Sequence, residues 1–269
     1  MSAGEAVPDG PISLDWTGAV AVLTICRSER RNAIDGETAL RMAAILDDLR
    51  VDQRTRAVVL RGAGDHFCAG GDVRKSEGRQ RSPEERLGAL APYHRLTTVL
   101  ASYTKPVVAA IDGVAFGAGF SLALLADLIV VSDRARLCMA FERLGLVPDL
   151  GALYTLPRAV GMQRARELLL SAREVNAQEA KHLGLALEVV RAEQLLTRSI
   201  ELAASLTNAS PVAISCIKAG LAQSFTSDLQ VILNLESAAQ AVATDTTYFA
   251  ESVRRLSARE PAQFQWPSE

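Results

Sequence analysis

The residues of this chain best placed to do chemistry are glycines, not charged side chains. The stretch Ile111-Asp112-Gly113-Val114-Ala115-Phe116-Gly117-Ala118-Gly119-Phe120-Ser121-Leu122-Ala123-Leu124 sets three glycines between an apolar, strand-like run from Pro106 to Ile111 and a helix-like run reaching Ala126. Glycine at a strand-to-helix junction allows positive φ and lets a ligand come close to the main chain. The first amides of the new helix have no intrahelical acceptor and point outward. Together these features make an anion site built from backbone alone. A second turn, His66-Phe67-Cys68-Ala69-Gly70-Gly71-Asp72, also follows a short apolar strand. Amides from two such turns, brought to one point, would bind a single developing oxyanion. Periodicity cannot show that they converge. The plainer reading is that Gly117 and Gly119 only let a helix pack closely on a sheet. The spacing is not G-x-G-x-x-G and no G-K-[ST] follows, so dinucleotide and P-loop readings are weak. Gly119-Phe120-Ser121-Leu122-Ala123 approaches the nucleophile elbow G-x-S-x-G of a serine hydrolase, but Ala123 breaks the motif and His182 has no supporting context.

The elements that must position these turns alternate between β and α. Ala19 to Ile25, Ala57 to Leu60, Leu128 to Val131 and Leu187 to Val190 read as strands. Asp35 can cap a helix whose Leu40, Ala43, Ala44, Leu46 and Leu49 share a face. Glu84 to Tyr103 reads as a helix, with Pro92 at a bend or break, after a polar, mobile segment from Val73 to Pro83. Leu156 to Leu170 is helical, and Asn176 caps a short helix through Leu183. From Ala192 onward strands disappear, and helices are expected over 194–206, 211–223 and 228–256. Alternating strands and helices imply an α/β fold with a parallel sheet covered on both faces. Three regions are expected: a partly disordered lead over 1–18, a core over 19–194, and a helical oligomerisation region over 195–269.

Composition excludes several classes. A chain of 269 residues can bury a sizeable core. Its net charge of -2 does not suit nucleic acid. No uninterrupted apolar stretch is long enough to span a bilayer, and residues 1–11 carry no basic-then-apolar signal pattern, so a cytoplasmic location is the default expectation. Cys26, Cys68, Cys138 and Cys216 are scattered, and His66, His94 and His182 lack metal spacing, so no metal site is expected.

Several motifs, in order, resemble the crotonase superfamily, also called the enoyl-CoA hydratase/isomerase family. They are Phe67–Asp72 (F-C-A-G-G-D), Lys105 through Gly119 (K-P-V-V-A-A-I-D-G-V-A-F-G-A-G), Ala126-Asp127, Phe141 to Gly151 (F-E-R-L-G-L-V-P-D-L-G), Leu156-Pro157-Arg158 with Gly161, and Ala258-Arg259-Glu260-Pro261. The likeness runs from about Val20 to Phe264. It implies a crotonase-like spiral of ββα units, a C-terminal helical region used in trimer formation, and self-association as a homotrimer or hexamer. It also implies an acyl-CoA substrate and no separate cofactor, coenzyme A arriving as part of the thioester. By motif position the oxyanion-hole amides are those of Gly71 and Ala118, the latter an Ala where the family usually has Gly. The segment Arg27 to Ala33 resembles the family's CoA-contacting R-P-x-x-x-N-A, with Ser28 in place of the proline. Arg30, Arg31, Ala33, Ala69, Gly71, Asp72, Val73 and Arg74 are the implied CoA-binding residues.

Hydration across a double bond needs a base for water and an acid for the carbon. Hydratases resembling this chain carry one Glu just after the glycine turn and another before L-G-x-x-P. Here those positions hold Ser121 and Phe141. Glu142 stands one residue further on, and one residue rotates a helical side chain by roughly 100°. Ser121 could orient the acyl chain, or be a small helix residue beside the turn. Glu142 could be a displaced base, or a surface residue. Asp149 remains, directly after Pro148. An Asp at this point resembles the base of ring-opening-pathway enoyl-CoA isomerases and the nucleophile of a chlorobenzoyl-CoA dehalogenase; its plainer role is a cap or an ion pair. Moving a double bond needs only one base, so the resemblance favours isomerisation with Asp149 as acid/base. A hydratase with atypical residues and an inactive acyl-CoA-binding protein are the alternatives.

Overall fold

The computed structural model describes residues 10–76 and 82–268. Residues 1–9 of the expected disordered lead and 77–81 of the expected mobile segment lie outside the described residues. In chain order the strands are β1 (Ile12–Thr17), β2 (Val20–Ile25), β3 (Ala57–Gly62), β4 (Val107–Ile111), β5 (Val114–Phe116), β6 (Leu128–Ser132), β7 (Arg136–Cys138), β8 (Glu174–Asn176) and β9 (Glu188–Val190). The helices are α1 (Gly36–Val51), α2 (Pro83–Gly88), α3 (Ala91–Ala101), α4 (Ala118–Ala123), α5 (Ala152–Ser171), α6 (Ala177–His182), α7 (Leu195–Thr207), α8 (Pro211–Gln223), α9 (Leu229–Thr244) and α10 (Thr247–Ala258).

A six-stranded sheet runs β1-β2-β3-β4-β6-β9. Only β1 is antiparallel to its neighbour; the rest of the sheet is parallel. The strands VAVLTI, AVVLRG, VVAAI and LIVVS are continuous apolar runs because both faces of the sheet are covered. Ala21, Leu23, Val58, Leu60, Ala109 and Ile129 point into the larger core, with α1 and α3. Their neighbours Val20, Val22, Ala57, Val59, Val108 and Val130 point the other way, against Leu195, Leu202 and Ala203 of α7. Side-chain alternation along a strand requires this division. A smaller sheet runs β5-β7-β8, and its β5 leads into Gly117 and α4.

The structure moves several boundaries. Residues 12–17, placed in the lead, form β1 and pair residue for residue with β2. The boundary expected at 195 falls inside the core, since α7 closes one face of the main sheet. On α1, Asp35 does cap, accepting from the Thr38 amide at 2.9 Å, but Leu40 is exposed. Ala44 is exposed as well; Ala43, Leu46 and Leu49 of the expected face are buried, together with Ala39 and Met42. The helix expected over 84–103 is two, α2 and α3, with Pro92 in the first turn of α3. The helix expected over 228–256 is also two, because Thr246 leaves helical geometry and caps α10 through the Phe249 amide. Among the described residues no single helix is long and apolar enough to cross a membrane.

Candidate active site

The two glycine turns lie side by side. Cys68 and Ala115 form a parallel bridge, with the Cys68 amide donating to Val114 O at 3.0 Å and the Phe116 amide to Cys68 O at 3.0 Å. Such contact is open only to glycine at two positions. A Cβ on Gly119 would run into the Cys68 carbonyl oxygen and stand 2.8 Å from Cys68 Cβ. Gly70 has φ +109, and a Cβ there would lie 2.9 Å from Phe116 O and 3.7 Å from the Ala118 amide nitrogen. Gly119→Ala is therefore expected to cost about 3 kcal/mol or more, since the obstruction is backbone and cannot rotate aside. Urea unfolding checks this, and an unchanged midpoint would mean that the turns separate freely.

The His66–Asp72 turn is also held from its other side. The Ile34 amide donates to Gly70 O, and the Asp72 amide to Ile34 O, each at 2.8 Å, so Gly71 is flanked by a bridge. Asn32 is fully buried, and its Nδ2 donates to the carbonyls of Ala63 at 2.8 Å and His66 at 2.6 Å. Arg27 Nη2 donates to Asp72 Oδ2 at 2.7 Å, and its Nη1 faces Asp35 at 3.6 Å. These contacts hold the backbone on either side of Gly71. Neither the Gly71 amide nor the Ala118 amide, the first of α4, donates to an acceptor among the described residues.

Gly71 and Ala118 both line one cleft of about 920 Å³. Asp149 enters it from the segment before α5, where Leu150 and Gly151 both take positive φ to reverse the chain. Asp149 Oδ1 is buried and has no hydrogen-bond partner among the described residues. Burial pushes its carboxyl up to about 6, against smaller pulls downward from its own backbone amide and from His94. Asp35, Asp72 and Glu85 also line the cleft, but each is engaged. Asp35 caps α1, Asp72 pairs with Arg27, and Glu85 accepts from the Ser82 amide at 2.8 Å ahead of α2. Tyr93, Phe141, Leu90, Leu144 and Leu146 supply most of the remaining wall. Among the described residues no group of three or more His, Cys, Asp or Glu side chains is gathered as metal ligands.

A family model described as enoyl-CoA hydratase/isomerase matches residues 15–267. The chain belongs to the enoyl-CoA hydratase/isomerase family. It is 34% identical over 247 residues to a 1,2-epoxyphenylacetyl-CoA isomerase of Escherichia coli, covering 91% of this chain and 94% of that one. It is 38% identical over 208 residues to a carnitinyl-CoA dehydratase of Proteus mirabilis, covering 77% and 78%. A crystal structure of an enoyl-CoA hydratase/isomerase from Cupriavidus metallidurans superposes with a TM-score of 0.91 at 38% identity, over 96% of this chain and 98% of that one. A putative enoyl-CoA hydratase from Thermobifida fusca, solved in complex with acetoacetyl-CoA, superposes with a TM-score of 0.79 at 34% identity, over 87% and 94%. The fold is that of the crotonase superfamily, mixed α/β with a C-terminal helical region.

Seen as a member of the enoyl-CoA hydratase/isomerase family, the chain gathers only some of the residues that its motifs single out. Gly71, Ala118, Asp149, Phe141, Ala69, Asp72 and Val73 all line the cleft. Ser121 does not: it is fully buried, and its hydroxyl donates to the Gly117 carbonyl at 3.2 Å, so it reaches neither an acyl chain nor an ester. His182, in the last turn of α6, is not in the cleft wall either. Glu142 is exposed on a short 3-10 turn outside the cleft, while Phe141 turns its ring toward Gly117. Arg30, Arg31, Ala33 and Arg74 stand outside the cleft wall. Arg30, Arg31 and Arg74 are exposed, while Ala33 is buried and its carbonyl accepts from Arg27. Arg31 contributes through its backbone, accepting from the Ala69 amide at 2.9 Å. Sequence reasoning missed Tyr93, Leu90 and Glu85, because nothing local says that the end of α2 and the start of α3 face the glycine turns.

Proposed function

We propose that this chain isomerises the double bond of enoyl-CoA thioesters, with Asp149 as the single acid/base. The observation that carries the reading is one cleft lined by Gly71 and Ala118, whose N–H groups have no acceptor among the described residues, and by Asp149, a partly buried carboxylate whose Oδ1 has no partner among them. The thioester oxygen accepts from the Gly71 and Ala118 amides. The Asp149 carboxylate takes a proton from the carbon next to the thioester carbonyl. The electrons pass into the carbonyl, giving a dienolate whose negative oxygen the two amides hold, each worth about 3 kcal/mol of barrier. The same proton then returns to the far end of the system, which moves the double bond and regenerates the carboxylate. A carboxyl titrating near 6 is ionised at neutral pH yet more basic than an ordinary Asp, which suits both transfers.

Hydration or dehydration needs a second proton carrier. The name of the Proteus relative favours that alternative. The engagement of Asp35, Asp72 and Glu85 in caps and an ion pair argues against it. Assaying Asp149→Ala with a non-conjugated enoyl-CoA tests the proposal, and unchanged turnover to the conjugated isomer would remove Asp149 from the mechanism. An inactive binding protein is distinguished by calorimetric binding of acyl-CoA with no turnover of any thioester.

The family likeness and the exposed apolar residues of α8 and α9 and the segment joining them, among them Leu221, Phe225, Leu229 and Val242, support self-association as a homotrimer or hexamer. Sedimentation should give a mass of three or six chains; a stable monomer at micromolar concentration would contradict it.

A further inference from the structure

One polar group of the cleft has no part in that chemistry. Tyr93 lines the same cleft as Gly71, Ala118 and Asp149. Its hydroxyl donates to the Ile34 carbonyl at 3.3 Å, beyond the roughly 2.7–2.8 Å usual for such a bond. That carbonyl already accepts from the Asp72 amide at 2.8 Å, and Ile34 is the bridge partner of Gly71. The phenol thus stands beside the carbonyl-binding end of the cleft and is only weakly held. The other polar side chains in the wall, Asp35, Asp72, Glu85 and Asp149, are carboxylates, which accept at neutral pH. Among the described lining residues Tyr93 is then the only side chain able to donate. Burial, with the charges of Asp149, Asp35 and Asp72 adding to it, pushes the phenol up to about 12, so it stays protonated and does not compete with Asp149 as a base.

We propose that the Tyr93 hydroxyl is a specificity-determining group, donating to an oxygen on the acyl chain next to the thioester, so that the cleft prefers β-oxygenated acyl-CoA over a plain hydrocarbon chain of the same length. The inference rests on the acyl-CoA reading above. The two free amides are occupied by the thioester oxygen, and a carboxylate repels a keto oxygen. A chain oxygen therefore depends on Tyr93 for a donor. A hydrocarbon chain covers the phenol and leaves it with its long bond to Ile34.

Calorimetry with butyryl-CoA and acetoacetyl-CoA, which have equal chain length, tests this on the wild-type protein and Tyr93→Phe. The expected result is an about tenfold weaker Kd for acetoacetyl-CoA in the variant, with butyryl-CoA changed by about twofold or less. Equal losses for both would reduce Tyr93 to packing, and no loss for either would remove it; both overturn the proposal. If the wild-type protein binds neither thioester, the acyl-CoA reading itself fails and takes this inference with it. If it binds both and only the contrast is missing, the inference alone fails.

Discussion

Replacing Asp149 with Asn is expected to lower kcat on a non-conjugated enoyl-CoA by about two to four orders of magnitude, with thioester affinity little changed. Asn keeps the shape of the side chain and loses its basicity, so the defect should fall on kcat and not on KM. The wild-type kcat/KM should rise with pH through about 6 and level off above, because the base must be ionised and burial has raised its pKa. The variant should lack that limb. Stability should move in the opposite direction. The folded chain holds this proton more tightly than the unfolded chain, where Asp titrates near its ordinary value. Stability is therefore full below about pH 4 and is lost as pH rises through about 6. Asp149→Asn removes that loss, so the variant should be more stable than wild type by roughly 2–3 kcal/mol at about pH 8, with the gain vanishing in acid. Urea unfolding at the two pH values measures it. A variant both inactive and less stable at high pH would mean that Asp149 is a structural partner and not a buried base.

Ala118→Pro should lower kcat by about 10²–10³-fold. The change replaces the N–H with the ring Cδ, which also fills the place of the oxyanion, while the helix tolerates Pro at its first position, where the amide has no intrahelical acceptor. Ala118 is the first residue of α4, and its amide is free among the described residues. The check is kcat together with the near-ultraviolet circular dichroism spectrum. A folded variant with wild-type kcat would show that the Ala118 amide does not carry the oxyanion. The departure from the family's usual Gly is harmless in this geometry, because Ala118 is helical and does not need positive φ.

Much of this architecture could be read from local chemistry. The runs VAVLTI and AVVLRG announce strands covered on both faces, and Asp35 and Asn176 announce helix starts that the structure realises through the Thr38 and Glu179 amides. Of the four strands of three residues, β9 was legible within Leu187 to Val190 and the other three were not. β5, β7 and β8 are too short to show a period, and they exist because neighbouring chain offers them a ladder. β1 was missed for a different reason: Ile12–Thr17 mixes polar and apolar residues at a sheet edge, where one side faces water.

The site divides in the same way. Glycine turns after apolar strands are a local signal, since positive φ and close approach follow from the missing Cβ, and Gly70, Gly117 and Gly119 behave as their composition requires. Asp35 shows itself locally as a helix cap, but nothing local separates Asp149 from Asp72 or Glu85, which are chemically the same group. Asp72 finds a partner remote in the chain, Arg27, across 45 residues, while no described residue reaches Asp149 Oδ1. The same packing brings Tyr93 to the carbonyl beside Gly71, across 59 residues. The sequence by itself determined where the backbone could turn and which runs would be buried, because those depend on side-chain size and polarity alone. Which carboxylate would be left dry and unpaired was decided only by tertiary packing, because burial and hydrogen bonding are properties of neighbours and not of the residue.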